Sequence, residues 1–220
     1  MGKIQFITKE QQIILDEVKQ SKYLQSNFYF TGGTALSSSY LYHRYSDDLD
    51  LFSQKTIENQ TIFTLMWVWS KKHNFTFQSR FVEIVYNFNL TFENKMNIKV
   101  DFAYYPYKRL QKGTVSDGLE IDSLLDIAVN KLLLISQRTD AKDFVDLYFL
   151  LQKFSVWDLM EGVKVKFNVE TEPFLLGADF LKIEDFEYLP KMIKTLNLTD
   201  LKLFFRNKAK EIGTKATDKF

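Results

Sequence analysis

Phe28-Tyr29-Phe30-Thr31-Gly32-Gly33-Thr34, followed by Asp47-Asp48-Leu49-Asp50-Leu51-Phe52, is the stretch from which the fold can be read. Residues 27–31 form a strand-type run, Gly32 and Gly33 break it, 34–44 continue as a helix, and 48–52 form the next strand. Alternate residues of a strand share a face, so Asp48 and Asp50 point one way, about 6.5–7 Å apart, while Leu49 and Leu51 pack the other way. Two carboxylates so placed can converge on shared cations, and two-metal nucleotidyl transfer needs acidic oxygens holding magnesium ions roughly 3.5–4 Å apart. An isolated Asp-x-Asp equally describes the polar edge of a loop; the Gly-Gly turn and helix just upstream give this pair its weight. Gly32 and Gly33 permit close backbone approach to a ligand, and the N–H groups of a helix starting near Thr34 can meet phosphate, with Thr34, Ser37 and Ser38 adding hydroxyls. The same turn also serves as a plain strand-to-helix connection. Walker and Rossmann glycine patterns are absent, so those modes of nucleotide binding are unsupported.

Working outward, 8–22 suits a helix with Ile14, Leu15 and Val18 as its apolar stripe, and 59–72 suits another. From Phe75 to Tyr104 the period becomes two. Phe88, Leu90 and Phe92 share one strand face, as do Ile98, Val100, Phe102 and Tyr104 on a later strand, with Asn94-Lys95-Met96 as a hairpin loop between. The opposite face carries Asn89, Thr91, Glu93, Asn97, Lys99 and Asp101, and is either wet or lines a cleft. Asp101 is there either an exposed carboxylate or the third member of a metal site, able to act as general base towards an acceptor hydroxyl.

The pattern changes near residue 115. Residues 1–115 read as an α/β core and 116–220 as a helical region packing against it, with helices over 122–138, 140–153, 157–163 and from 189 onward; the fold class is α+β. On the first of these helices Lys131 and Arg138 lie two turns apart on nearly one face, either gripping a triphosphate or facing solvent. Asp126 has a structural role as the third residue after Ser123 in a capping pattern; Asp143 stands likewise to Asp140, and Asp146 follows Lys142 at the spacing of a helical ion pair.

Composition narrows the classes. With 45% hydrophobic and 16% aromatic residues but 8 Gly and 3 Pro among 220, the chain has the means for a packed core. No apolar run reaches membrane-spanning length and Met1–Gln12 lacks the apolar core of a signal peptide, so a cytoplasmic location without membrane association follows by default. The absence of Cys excludes thiolate chemistry and Cys-ligated zinc, and two His, His43 and His73, leave little for a histidine-rich metal site. Net charge is +1, so any RNA surface must be local; the C-terminal cations Lys202, Arg206, Lys208, Lys210, Lys215 and Lys219 are either that surface or a solvated helix face.

Phe30-Thr31-Gly32-Gly33-Thr34-Ala35-Leu36 with His43-Arg44-Tyr45-Ser46-Asp47-Asp48-Leu49-Asp50-Leu51-Phe52 resembles the AbiEii/AbiGii toxin family of nucleotidyltransferases, and Asp126-Ile127, Lys131, Arg138, Lys142-Asp143 and Asp146-Leu147-Tyr148 resemble that family's second block. The resemblance spans about residues 28–150. It implies a polymerase-β-like nucleotidyltransferase core with a helical C-terminal part, acting as toxin of a toxin–antitoxin or phage-defence pair. It also implies a nucleoside triphosphate substrate, magnesium or manganese as cofactor, and in some members tRNA 3′ ends as acceptor. By the family's motifs Gly33 and Ser46 would contact phosphate, beside Gly32 and Thr34, while Asp48 and Asp50 would hold metal and Lys131 would bind triphosphate. Asp101 completes the set by the general layout of that fold. Some relatives carry a Lys shortly after the turn, where this chain has Ser37-Ser38-Ser39. Transfer to a protein side chain, or nucleotide and partner binding without catalysis, are the competing expectations.

Overall fold

The computed structural model describes residues 6–217, with side chains to residue 214. They divide into two compact units: Met1–Tyr40, Ser46–Tyr107 and Lys112–Asp122 make the first, and Leu41–Tyr45, Lys108–Gln111 and Ser123–Phe220 the second.

In the first unit, α1 (Lys9–Gln20) starts where the Thr8 hydroxyl accepts from the Gln11 amide at 3.1 Å and the Gln11 side chain accepts from the Thr8 amide at 2.9 Å, satisfying two N–H groups that a helix start leaves over. Ile14, Leu15 and Val18 are buried, as their spacing predicts. After α2 (Lys22–Asn27), β1 (Tyr29–Thr31) runs into α3 (Gly32–Leu36), followed by β2 (Leu49–Ser53), α4 (Asn59–His73), β3 (Phe75–Val82), β4 (Val85–Phe92), β5 (Asn97–Tyr104), β6 (Thr114–Ser116) and β7 (Leu119–Ile121). The strands form one mixed sheet in the order β3-β4-β5-β2-β1-β7-β6. β2 sits at its centre, antiparallel to β1 and parallel to β5. The alternation read from sequence holds: Leu49, Leu51, Phe88, Leu90, Val100 and Phe102 are almost fully buried.

Several stretches differ from the sequence reading. The helix expected over 34–44 ends early: α3 passes into a π-turn over Ser37–Leu41, and Tyr42 is left-handed. The Ser38 hydroxyl bonds back to the Thr34 carbonyl at 2.7 Å, an interaction that weakens a helix interior, and His43 and Arg44 are drawn into the second unit by side-chain ion pairs described below. Residues 114–121, beyond the predicted change to helical period, form a hairpin whose turn residues Asp117 and Gly118 both have positive φ, the geometry that a two-residue Asp-Gly loop favours. The strand β7 it delivers pairs in parallel with β1.

The second unit comprises α5 (Leu124–Gln137), α6 (Ala141–Leu150), α7 (Val156–Phe167), α8 (Pro173–Leu181) and α9 (Leu198–Thr217). α8 is absent from the sequence reading although Glu172 caps it and Pro173 opens it. α9 starts later than residue 189: Pro190 and its neighbours are extended, with Met192 bridging Arg44 and the Lys191 carbonyl accepting from the Tyr45 amide at 2.9 Å. The capping pattern at Ser123 is present, its hydroxyl accepting from the Asp126 amide at 2.9 Å. Asp126 is fully buried and also accepts from Lys166 at 2.7 Å; burial pushes its carboxyl up, but Lys166, Ser123 and the Leu110 amide outweigh that and hold it below the ordinary range.

α5 and α7 approach closely because Gly162 has no side chain: a Cβ there would stand 2.4 Å from Val129 Cγ2. Gly162→Val is expected to destabilise the protein by about 1–3 kcal/mol in urea unfolding. By contrast Gly213→Ala in α9, where a Cβ meets nothing within 4 Å, should be neutral or gain up to about 1 kcal/mol.

Candidate active site

Strand register builds the site. Thr31 pairs with Asp50, Asp50 with Asp101, and Asp101 with Asn87, so four polar side chains stand in a row across β1, β2, β5 and β4. Neighbouring strands lie about 4.8 Å apart and facing residues share a side of the sheet. β2 begins at Leu49 and not at Asp48 as the spacing predicts, so strand alternation does not place Asp48; it precedes the strand by one residue, and its charge reaches Lys99. Asp101 is only 8% exposed, which removes the alternative of a carboxylate on a wet face. Its Oδ1 accepts from Asn87 Nδ2 at 2.7 Å and its Oδ2 from the Lys99 ammonium. Burial alone would lower the Lys99 pKa, yet it is raised, because Asp101 bonds and attracts it and Asp48 and Asp50 add their charge. Among the described residues no three His, Cys, Asp or Glu side chains are grouped as a metal-holding set. The cation facing Asp48, Asp50 and Asp101 is one of the chain's own.

The glycine turn is tied to the same row. Gly32 has φ +76°, and a Cβ on it would lie 1.9 Å from Asp50 Oδ2; the carboxylate rests against the bare Cα. The Thr34 hydroxyl donates to the Asp48 carbonyl, and Gln11 Nε2 donates to the Ser46 and Asp47 carbonyls at 2.9 and 3.0 Å. The Thr31 hydroxyl donates to Asp122 at 2.9 Å. With five residues, α3 offers amide groups more than a macrodipole, which needs many aligned peptides.

In the second unit Lys131 is buried within an ion cluster instead of facing solvent, while Arg138, the extended C-cap of α5 and so off the helix face predicted for it, joins that cluster with a half-exposed side chain. Asp146 accepts from Arg44 Nε at 2.6 Å and Nη2 at 2.7 Å, and lies 2.7 Å from His43 Nε2. Lys131 Nζ is 2.6 Å from both Asp143 and Asp146, and Arg138 donates to Asp143 at 2.6 and 3.1 Å. His43, Asp143 and Asp146 are fully buried, Arg44 is 1% exposed and Lys131 5%. Burial pushes the Asp146 carboxyl up, but Lys131 and Arg44, with the His43 bond, outweigh it and hold it well below the usual carboxylate range. Burial keeps the His43 pKa below its ordinary value, so a neutral imidazole donates from Nε2. Asp146 therefore does not pair with Lys142 as its helical spacing suggests, and Asp143 binds Lys131 and Arg138 while Asp140 itself caps α6: charge burial overrides the surface rule.

The C-terminal cations are largely engaged. Arg206 forks onto Glu184 at 2.5 and 2.7 Å, Lys202 reaches the Glu184 carbonyl at 2.9 Å and Lys208 pairs with Glu211 at 2.8 Å. Lys219 and the side chain of Lys215 lie outside the described residues. Gln11, Asn87, Lys99 and Asp122 were missed at sequence level; only Lys99, two residues before Asp101 on the same face, carried a readable signal.

A family model described as "Nucleotidyl transferase AbiEii toxin, Type IV TA system" matches residues 14–219. An uncharacterised protein of Aquifex aeolicus is 32% identical over 170 residues, covering 72% of this chain and 73% of its own. Among solved structures, JHP933 from Helicobacter pylori superposes with TM-score 0.55 at 19% identity, covering 97% of this chain and 96% of its own. MenT4, a nucleotidyltransferase toxin from Mycobacterium tuberculosis, does so with TM-score 0.53 at 16% identity, covering 91% and 82%. The mixed sheet with flanking helices is the nucleotidyltransferase fold.

Two substitutions probe the two clusters. Gly32→Ala forces a side chain into left-handed backbone against Asp50 and should cost about 1–3 kcal/mol in urea unfolding. Asp146→Asn leaves Arg44 and Lys131 short of counter-charge in a buried place and should cost about 3–5 kcal/mol at neutral pH. Because the folded state depresses the Asp146 pKa, its stabilisation is complete above the ordinary value of 3.8 and lost as pH falls towards the lower folded value; the deficit of the variant should hold down to about pH 5 and narrow below about pH 4.

Proposed function

Because the chain belongs to the AbiEii family of nucleotidyl transferase toxins, we propose that it transfers a nucleotide from a nucleoside triphosphate to an acceptor hydroxyl, with the 3′ end of tRNA as acceptor and a cognate antitoxin as partner. The observation that carries this reading is the register that sets Asp50 beside Asp101, with Asp48 one residue ahead of β2 and its charge reaching Lys99. The donor set is all carboxylate oxygen, which suits magnesium; Asp48, Asp50 and Asp101 would hold it, and bound there it neutralises charge on the phosphates. That Lys99, a cation, is already attracted by all three supports the fit.

In this reading the acceptor hydroxyl oxygen forms a bond to the α-phosphorus, the bond from that phosphorus to the bridging oxygen breaks, and pyrophosphate leaves with the electron pair. Asp101 takes the hydroxyl proton, and Asn87, bonded to its other oxygen, holds the carboxylate in plane. Gly32 and Gly33 let phosphate approach the backbone with Ser46 beside it, whereas the Thr34 hydroxyl, buried and bonded to the Asp48 carbonyl, adds none of the donor capacity expected of it. Triphosphate contact by Lys131 and Arg138 requires them to share their charge with Asp143 and Asp146, so their removal should cost stability together with activity. No described helix is long and apolar enough to cross a membrane, in keeping with a site of action among soluble RNA.

The test is incubation with magnesium, each α-labelled nucleoside triphosphate in turn, and total tRNA. Label is expected on RNA, and Asp48→Ala should lower kcat by at least roughly a thousandfold, about 4 kcal/mol of barrier, with an unchanged melting temperature. Label on the protein or a partner protein would move the acceptor to a side chain, and nucleotide binding without transfer would replace the enzyme with a binding module.

A further inference from the structure

Two cations lie on the described strands, Arg80 on β3, exposed and paired in register with Asn87, and Lys99 on β5, two residues before Asp101 and bonded to it. The Lys99 ammonium donates to Asp101 Oδ2 and feels Asp48 and Asp50. We propose that Lys99 is a counter-cation built into this site, holding the carboxylates together in the metal-free protein and leaving by exchange when a divalent cation loads. The inference rests on the metal-dependent reading above.

Three features make Lys99 an exchangeable occupant rather than a fixed ion pair. Its side chain is 42% exposed while that of Asp101 is 11% exposed, so the carboxylate is enclosed but the ammonium has a way out on its four-carbon stem. Asn87 grips Asp101 Oδ1 and leaves Oδ2 to Lys99; when the ammonium departs, the carboxylate keeps its orientation and presents that one oxygen. Asp50 also rests against the bare Cα of Gly32, a contact that stays when the ammonium departs. A Lys ammonium is a compact point charge with three rotatable donors, suited to several carboxylates at once and to release, unlike the rigid fork of Arg.

The consequence is competition: the site is open to metal only in the fraction of molecules whose ammonium has swung away, and the apparent affinity falls by that fraction. The experiment titrates manganese, without nucleotide, into the full chain and into Lys99→Met, Lys99→Gln, Lys99→Arg and Asp50→Asn, by calorimetry, with melting temperatures in chelator and in manganese. Lys99→Met and Lys99→Gln are expected to bind manganese about tenfold more tightly than the unsubstituted chain, and to melt lower in chelator with a larger rise on adding metal. Lys99→Arg, keeping the charge, should stay within a few-fold of the unsubstituted chain. A merely structural lysine would lower the melting temperature without tightening metal binding. If the unsubstituted chain binds manganese, Asp50→Asn does not, and both neutral Lys99 variants bind equally or more weakly, the inference fails while the metal site stands. If no protein in the series binds manganese, the metal-dependent reading fails and takes the inference with it.

Discussion

Parallel pairing of β2 with β5 sets Asp50 directly beside Asp101, and two carboxylates one strand spacing apart repel unless something of opposite sign stands between them. Much of the first unit answers that constraint. β2 lies at the centre of the sheet, where Leu49 and Leu51 anchor the other side of the strand in the core, so the acidic side cannot relieve repulsion by twisting away. Gly32 offers Asp50 a bare Cα, Thr34 fastens the Asp48 backbone, and Asn87 and Lys99 divide the two oxygens of Asp101. The row is thus held by a bare Cα, a hydroxyl, an amide and an ammonium from the elements around it.

The second unit handles carboxylates in the opposite way. Asp143 and Asp146 are sealed from water and meet fixed partners on every side, and Arg44 presents two parallel donors to Asp146, geometry that makes a buried pair tolerable. Acidic residues thus fall into two physical kinds in one chain: those paired permanently with guanidinium and buried lysine, and those paired with a half-exposed lysine on a flexible stem.

The sheet was legible where alternation ran long. β4 gives three alternating apolar positions and β5 four, and all but the half-buried Tyr104 are buried as expected; β6 and β7, at three residues each, are too short for any period to register. Spacing puts Asp48 and Asp50 on one face by counting Asp48 into the strand, which begins one residue later, and the position of Asp50 beside Asp101 depends on a β2–β5 pairing between strands far apart in sequence, which periodicity does not encode. Asp146 misled for a related reason. Its local neighbour Lys142 is visible in sequence, but Arg44 and His43 become its partners only through tertiary folding.

Residues 41–45 and 108–111 belong to the second unit although the first surrounds them in sequence, so the chain crosses between units and returns twice. Arg44 waits for Asp146, 102 positions downstream. On a ribosome, where the amino-terminal part emerges first, Gln11 can hold the Ser46 and Asp47 carbonyls early, but Arg44 has no counter-charge from Asp146 until α6 has been made. Closing so long a loop is a late event. Nascent fragments ending before α6 therefore carry β2 and β5 with Arg44 still lacking its carboxylate, and that one fastening waits for synthesis of the helical unit.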